Sequence, residues 1–304
     1  MDSRLQIFLA VARIGQLTQA SARLNLSPSS VSAQITALEQ DLGVTLFHRR
    51  GRGMDLTPSG QILFSAAEQM EFLWRKTVRD VQAHHEGIAQ IRIAASHTAA
   101  ELFLPRPLGR FRSKWPETRV HLTMTNSQSV VDMVTGGSVD IGIVEGASEH
   151  SRLHHEELWT DELGLIVAAH HPLAGRRSLG VEELGELDWI LREEGSGTRR
   201  VFERALEQAA IPVRHLPVMM QLSSLRAIVA MVANNVGVSV VSRAVFDSDE
   251  ITVSNIVPIA IERLNLRRTL EAVLPTEPSS SMVEHLLEDL RRDVEIRQKR
   301  TRLT

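Results

Sequence analysis

Apolar residues recur at helical spacing on both sides of a break near residue 25, with Ala20, Leu24 and Leu26 before it and Val31, Ile35 and Leu38 after it. The break reads Asn25-Leu26-Ser27-Pro28. Ser27 is suited to cap the second helix, and Pro28 fits its first position, where a missing N–H costs nothing. That helix is predicted to end at Asp41-Leu42, with Gly43 as the left-handed residue beyond it. Between Leu46 and Thr57 the pattern shortens to two strand-like runs around a Gly/Arg turn. From Pro58 to about Glu86 it lengthens into one helix, and Gly87 ends it. Leu63, Ala67, Met70, Trp74, Thr77 and Val81 alternate there by four and three, the spacing of a two-stranded coiled-coil seam. A long amphipathic helix between two domains has little else to bury that stripe against, so the expectation is dimerisation through it.

Beyond residue 88 strands and helices alternate. Residues 91–95, 120–125 and 139–144 read as strands, with helices over roughly 99–115 and 128–135 between them. A β-α-β-α-β order predicts a parallel sheet with helices on both faces. A second such unit spans about 160–266, with strands at 163–168, 187–191 and 238–241 and helices near 198–210 and 222–234. A strand at 270–274 and a terminal helix at 282–297 then return to the first unit. The fold class expected is α/β with an all-α N-terminus.

Two helices on a tight turn followed by a basic hairpin make a winged helix-turn-helix, a DNA-reading device. On the second helix Ser29, Ser30, Ser32, Ala33 and Thr36 form an outer face of small and polar residues that can lie close to base edges and phosphates. Gln34 adds an amide, and Ser27 and Pro28 sit at the helix start. Arg49, Arg50 and Arg52 in the hairpin are candidates to track the phosphate backbone.

Composition narrows the remaining classes. The 304 residues suffice for two or three domains with cores of their own. There is no cysteine, which excludes disulfides, thiolate metal sites and a cysteine nucleophile. The opening MDSRLQIFLAVARIG lacks a basic run before its apolar one and reads as a helix, not a signal peptide, and no stretch of eighteen apolar residues exists to span a membrane. Net charge is −3 but unevenly spread: residues 1–60 hold six arginines against four carboxylates, and the rest 28 basic against 33 acidic residues. Such weak basicity favours local contact with duplex DNA over a general nucleic-acid coat.

The run Val31-Ser32-Ala33-Gln34-Ile35-Thr36-Ala37-Leu38-Glu39-Gln40-Asp41-Leu42-Gly43, with Leu46-Phe47-His48-Arg49 and Leu56-Thr57-Pro58-Ser59-Gly60, closely resembles the N-terminal domain of LysR-type transcriptional regulators. It departs at Pro28, where many members carry Gln, and at Ala33, where many carry Arg or Lys, so readout would fall to Gln34, Ser29, Ser30, Ser32 and DNA shape. The resemblance implies three parts: residues 1–58 as the winged helix-turn-helix, 59–87 as a linker helix that dimerises, and 88–304 as a two-lobe, periplasmic-binding-protein-like effector domain. Lobe I would cover about 88–160 and 268–304, and lobe II about 161–267. It also implies a cytoplasmic protein whose partners are double-stranded promoter DNA, a small-molecule effector, further copies of itself as a dimer or tetramer, and RNA polymerase.

Ligands of open parallel sheets bind beyond the carboxyl ends of strands. Those ends carry Ser96-His97-Thr98, then Ser127-Gln128, then Glu145, and in the second unit Gly195-Ser196-Gly197-Thr198-Arg199. Several lead into helix N-termini, which favour anions through free N–H groups and the helix dipole. The two glycines allow close backbone approach, and Arg199 is a candidate bidentate clamp. Thr98-x-x-Glu101 equally reads as a capping box and Ser127 as an ordinary N-cap. Glu194-Gly195-Ser196-Gly197-Thr198-Arg199 resembles a stretch in the branch of the family that holds Calvin-cycle operon and sulfur-assimilation regulators, which implies a small anionic or phosphorylated effector.

Enzymatic readings find little support. Gly195-Ser196-Gly197 is not a nucleophile elbow, and no dinucleotide or Walker loop follows a strand. The pairs His84-His85, His154-His155 and His170-His171 lack a carboxylate at chelating spacing and read as surface or loop residues, so neither a metal nor a cofactor is expected. Two other readings remain. One is a ligand-independent architectural DNA binder that uses its α/β domain only to oligomerise, and the other is a solute-binding or catalytic domain fused to a helical dimeriser.

Overall fold

The computed structural model describes residues 2–50, 53–86, 89–146, 153–247, 253, 255–276 and 280–301. The chain divides into two compact units, Met1–His85 with Gly136–Ser138 and Glu86–Thr135 with Val139–Thr304.

The first unit holds α1 (Ser3–Ile14), α2 (Leu17–Leu24) and α3 (Pro28–Leu42), then strands β1 (Phe47–Arg50) and β2 (Gly53–Leu56), then α4 (Pro58–Glu86). Asn25 ends α2 in the left-handed region, Ser27 Oγ accepts the Ser30 N–H at 3.1 Å, and Gly43 closes α3 at φ 68°. Phe8, Leu9, Val11, Ala20, Val31, Ile35, Leu38, Leu46 and Phe47 form one buried core. Leu26 was expected to join it but stays exposed, because it lies in the turn between the helices. β1 and β2 pair antiparallel from Phe47↔Leu56 to Arg50↔Gly53.

Three motif residues fix this hairpin. Glu39 Oε1 accepts the Leu46 N–H at 2.7 Å, and Thr57 Oγ1 donates to the Thr45 carbonyl at 2.8 Å while accepting the Gly60 N–H at 2.9 Å. At Gly60 a Cβ would fall 2.1 Å from the Leu46 carbonyl oxygen, so only glycine fits. The start of α4 docks on the same core through Leu63, Phe64 and Ala67, and Arg13 of α1 reaches Glu71 at 2.8 Å.

The second unit begins with β3 (Gln90–Ser96), α5 (Pro105–Lys114), β4 (Arg119–Thr125), α6 (Ser127–Thr135) and β5 (Ile141–Glu145). It continues with β6 (Leu153–Ala168), β7 (Ser178–Leu179), β8 (Trp189–Arg192), α7 (Gly197–Gln208), β9 (Val218–Leu222), α8 (Leu225–Ala233) and β10 (Ser239–Ser242). It ends in β11 (Ile256–Ile261), β12 (Arg267–Pro275) and α9 (Ser281–Thr301). The expected helix over 99–115 is two pieces. A wide π turn spans Ala99–Phe103 and α5 restarts at Pro105, since proline cannot donate back into a continuous helix.

The main sheet runs β4-β3-β5-β12-β6-β11-β7, with β10 also on β6, and β8 and β9 form a separate parallel pair. An all-parallel sheet was expected, but the sheet is mixed. β3 pairs parallel with β4 and β5, whereas β12 enters antiparallel between β5 and β6. β6 is 16 residues long and carries the chain from one core, around Ile93, Phe103, Ile141 and Trp159, into a second around Leu165, Trp189, Phe202 and Leu206. α9 is tied to the first core by buried carboxylates: Asp293 accepts from Arg110 at 3.1 Å, Arg297 at 2.8 Å and Trp159 Nε1 at 3.3 Å.

Candidate functional site

In the first unit Ser27, Pro28, Ser29, Ala33 and Thr36 are exposed along the start and outer face of α3, while Ser30, Ser32 and Gln34 are half-covered. A strip of short side chains at a helix start fits the depth of a major groove without steric conflict. Arg49 and Arg50 lie on β1 opposite Met54 and Gly53, and Arg52 lies outside the described residues. On α4 the expected seam splits. Ala67 is fully buried and Leu63 half-buried in the core of their own unit, so these two are already covered within one chain. Met70 and Trp74 are each 52 % exposed and Val81 64 %, joined by Leu73 and Val78. Residues 63 and 67 fall on the face that closes the helix-turn-helix, a demand that heptad spacing alone does not reveal.

In the second unit the strand-end residues converge on Glu145. Its carboxylate is buried at the end of β5, and Ser127 Oγ donates to it at 2.6 Å. Burial alone would push this carboxyl up, but the Arg268 guanidinium and the hydroxyls of Ser127, Thr98 and Ser96 outweigh it and hold it below the usual carboxylate range. Arg268 Nη1 lies 3.8 Å from Glu145 Oε1 and donates to Thr198 Oγ1 at 2.9 Å, and its Nη2 lies 2.6 Å from Asp161 Oδ2. Ser242 donates to the other Asp161 oxygen at 2.7 Å. At Gly197 a Cβ would stand 2.7 Å from the Glu145 carbonyl, its Oε2 and Ser127 Oγ, so α7 can only begin here on glycine.

Two segments distant in sequence thus touch: the Gln128 N–H donates to the Gly195 carbonyl at 3.2 Å, and Asn126 Nδ2 to the Glu194 carbonyl at 3.3 Å. Gly195 adopts φ 81° beside the Asn126 amide. Ser196 caps α7. His97 sits nearby with Nδ1 buried and unpartnered among the described residues, and burial together with the Arg192 charge lowers its pKa.

Several expectations need correction. Ser96, not Thr98, accepts the Ala99 N–H (3.1 Å), because the Thr98 hydroxyl is turned to Glu145 and Glu101 is drawn to Arg226 at 3.3 Å, so the capping box does not form. Asn126, not Ser127, caps α6, its Oδ1 accepting the Ser129 N–H at 2.8 Å. Gln128 is exposed and donates to Asp132. Arg199 is no clamp on this cluster: it pairs with Glu203 at 2.7 Å and donates to Gln221 at 3.0 Å and to the Arg192 carbonyl at 3.2 Å. An arginine one turn before a glutamate on the same helix finds its partner locally. His154 is an exposed surface residue of β6, whereas His155 on the same strand is half-buried and pairs with Glu271 at 3.1 Å.

The cations that do stand at the cluster are Arg268, Arg200, which donates to the Glu145 carbonyl at 3.0 Å, and the buried Arg192, which pairs with Glu193 at 2.8 Å. Sequence reasoning missed all of them and Asp161. No local signal singled out Arg268 or Asp161, since Glu156, Glu157 and Glu162 share β6 with Asp161, and Arg267 and Glu271 share β12 with Arg268. Among the described residues no group of His, Asp or Glu is placed to hold a metal ion, and no helix is long and apolar enough to cross a membrane.

Two family descriptions match. Residues 3–61 match the bacterial regulatory helix-turn-helix protein, lysR family, and residues 84–295 match the LysR substrate binding domain. The chain is 32 % identical over 270 residues to the HTH-type transcriptional regulator CysL of Bacillus subtilis, covering 88 % of this chain and 89 % of the relative. It is 32 % identical over 241 residues to the RuBisCO operon transcriptional regulator of Allochromatium vinosum, covering 79 % and 78 %. Both stand in the branches that the 194–199 stretch points to. Among solved structures, the regulatory domain of Synechocystis CcmR in complex with 2-PG superposes with a TM-score of 0.61 at 26 % identity, covering 68 % of this chain and 97 % of that one.

Proposed function

The chain belongs to the LysR family of transcriptional regulators, and from that membership we propose a cytoplasmic promoter-binding protein that assembles as a dimer or tetramer and answers to a small anionic metabolite. It joins an N-terminal DNA-binding helix-turn-helix to an effector-binding domain, and its relatives are regulators, not enzymes. In this reading residues 1–58 contact DNA, α3 enters the major groove, and Arg49, Arg50 and Arg52 follow the phosphates. Residues 59–87 pair two copies through Met70, Trp74 and Val81. Residues 88–304 hold the effector between lobes divided near residues 160 and 268, and RNA polymerase is the downstream partner.

The observation that carries the anionic class is the meeting of the α6 and α7 N-termini at one spot, with Ser127 2.6 Å from Glu145 and Gly197 leaving no room for a side chain. Both helix dipoles present positive ends there. Two buried carboxylates, Glu145 and Asp161, share Arg268 there, and the Arg200 guanidinium at the Glu145 carbonyl adds a second positive charge, so the carboxylates do not exclude an anion. The CcmR regulatory domain is solved in complex with 2-PG, which supports a small-molecule effector for this domain. Binding there would shift the population between lobe arrangements and so reset the spacing of two DNA-binding pairs.

The test is a melting series of the full chain with phosphorylated metabolites and sulfur oxyanions, followed by operator titration with any hit. An anion that binds the folded state raises the melting temperature, by an amount that grows with its concentration. A melting temperature and an operator affinity indifferent to every anion would mean ligand-independent, architectural action and would overturn the effector reading.

A further inference from the structure

Glu162 and Arg267 face each other in the β6–β12 ladder, one step along from Asp161 and Arg268. Side chains alternate across a strand, so the two pairs point to opposite faces of the sheet. Asp161 and Arg268 turn into the buried cluster, while Glu162 and Arg267 are exposed. They open onto a groove of about 220 Å³ that also receives Arg177, Arg243 and Asn265. Its floor includes Gly164, where a Cβ would meet Arg243 Cγ at 3.3 Å, so the aliphatic stem of Arg243 lies across the glycine.

The groove is lined by three arginines and one glutamate. Glu162 Oε1 is 3.5 Å from Arg243 Nη1, which accounts for one of the three. Arg177 and Arg267 have no side-chain hydrogen bond or ion pair among the described residues. Asn265 accepts the Arg267 N–H at 3.2 Å through Oδ1, which leaves its amide Nδ2 as a further donor. Like charges gathered in a concavity repel one another unless an anion enters, and the planar fork of arginine matches an oxyanion in two hydrogen bonds. Leu264, Pro258 and Ala260 give the groove an apolar wall beside these charges. Positive charge on one side and an apolar wall on the other suit a phosphate that carries a short organic group.

We propose that this groove is a second ligand site, separate from the Glu145 cluster, for a small phosphate ester or comparable polyvalent oxyanion. It stands back to back with Arg268, so an occupant that draws Arg267 or Glu162 acts on the same two strands that hold Arg268 and Asp161. The site is independent of the effector reading above.

The experiment is calorimetric titration of the full chain with glycerol phosphate and with inorganic phosphate at fixed ionic strength. Wild type is compared with R177Q/R267Q, R177K/R267K and Arg112→Gln, an exposed arginine of α5 that belongs to neither cluster. R177Q/R267Q should bind the ester about ten-fold more weakly or worse, since two charge-assisted bonds are lost. R177K/R267K should recover part of that loss, and Arg112→Gln should bind as wild type does. Both arginines are exposed, so unliganded melting temperatures should agree. A preference for the ester over inorganic phosphate supports the apolar wall as part of the site. Equal affinity in wild type and R177Q/R267Q, an equal loss in Arg112→Gln, or no binding to wild type would each overturn the proposal.

Discussion

Arg268 on β12 and Asp161 on β6 form a buried ion pair, with Nε 2.7 Å and Nη2 2.6 Å from the same Asp161 oxygen. The pair joins two neighbouring strands, and the same guanidinium reaches Thr198 at the start of α7 and Glu145 at the end of β5. One side chain therefore ties four elements together at the place where ligand is expected.

Removing Arg268 should cost more than removing an ordinary salt bridge. Arg268→Met would leave Asp161 and Glu145 buried without a counter-charge, a situation that costs roughly 3–5 kcal/mol. Arg268→Lys keeps the charge but not the fork that spans Asp161 and Thr198, so it should fall between. Urea unfolding of the purified chain measures both. A Met variant as stable as wild type would show the pair to be energetically idle.

The same cluster gives stability a pH dependence with a defined sign. The Glu145 pKa is lowered in the folded state, so its contribution is present above the ordinary carboxylate range and is lost as pH falls through the folded value. The His97 pKa is lowered as well, through burial and then Arg192. The unfolded chain therefore takes up that proton first, and stability starts to decline below about pH 6.5. Glu145→Gln should flatten the acid limb and His97→Asn the limb nearer neutrality in a melting series across pH. If His97→Asn left the near-neutral slope as it was, the imidazole would not be its source.

Local signals were the legible ones. Ser27, Pro28 and Gly43 mark the ends of α3 by chemistry confined to a few residues, and the structure keeps each mark. The motif residues Glu39, Thr57 and Gly60 proved to bind the hairpin to the helices, which a sequence shows only as a pattern. What escaped was long-range. β11 carries Pro258 and β9 is mostly exposed, so neither reads as a core strand, and the antiparallel entry of β12 depends on pairing across more than a hundred residues. The strand ends around Glu145 were found because topology places ligands there. Arg268 and Asp161 were missed because their partners are remote in the chain, and Arg199 was given a role that its neighbour Glu203 already fills.

Gly197 and Arg199 give opposite expectations although two residues apart. Gly197→Ala would set a methyl 2.7 Å from the Glu145 carbonyl and from Ser127, pushing α7 off the cluster at a cost of about 1–3 kcal/mol. Effector binding should fall with it. Arg199→Ala deletes the pair with Glu203 and the bonds to Gln221 and the Arg192 carbonyl, which costs about 1–3 kcal/mol of stability, but should leave effector affinity near wild type. Calorimetry of both variants with the effector decides the matter, and a collapse of affinity in Arg199→Ala would restore it to the site.

For DNA binding, the proposed partner of Arg52 is a phosphate. Arg52→Ala should weaken binding to specific and scrambled duplex alike and reduce the slope of log affinity against log salt by about one. Gln34→Ala should instead change the preference between sequences if, as proposed, α3 enters the major groove. Fluorescence anisotropy across a salt series separates the two effects, and an unaltered slope in Arg52→Ala would remove it from the interface.

The α4 stripe carries the assembly prediction, and the structure sharpens it. Ala67 and Leu63 are covered by the chain's own helix-turn-helix, so substitutions there would unfold that unit rather than report on pairing. Met70 and Trp74 are exposed in the single chain, on the same helix and one turn apart, which makes them the residues to test for burial by a second copy. Full burial of such a side chain contributes about 1.5–3 kcal/mol, so a handful of them from each helix is ample for a stable pair. Met70→Asp with Trp74→Asp would place charge in that interface without a partner. Sedimentation should then show monomer at concentrations where wild type is dimeric, and operator affinity should fall steeply because two half-sites are no longer held together. Melting of the α/β domain should be retained, since neither residue lies in its cores. An unchanged dimer mass with undiminished operator binding would place the dimer contact elsewhere on the chain.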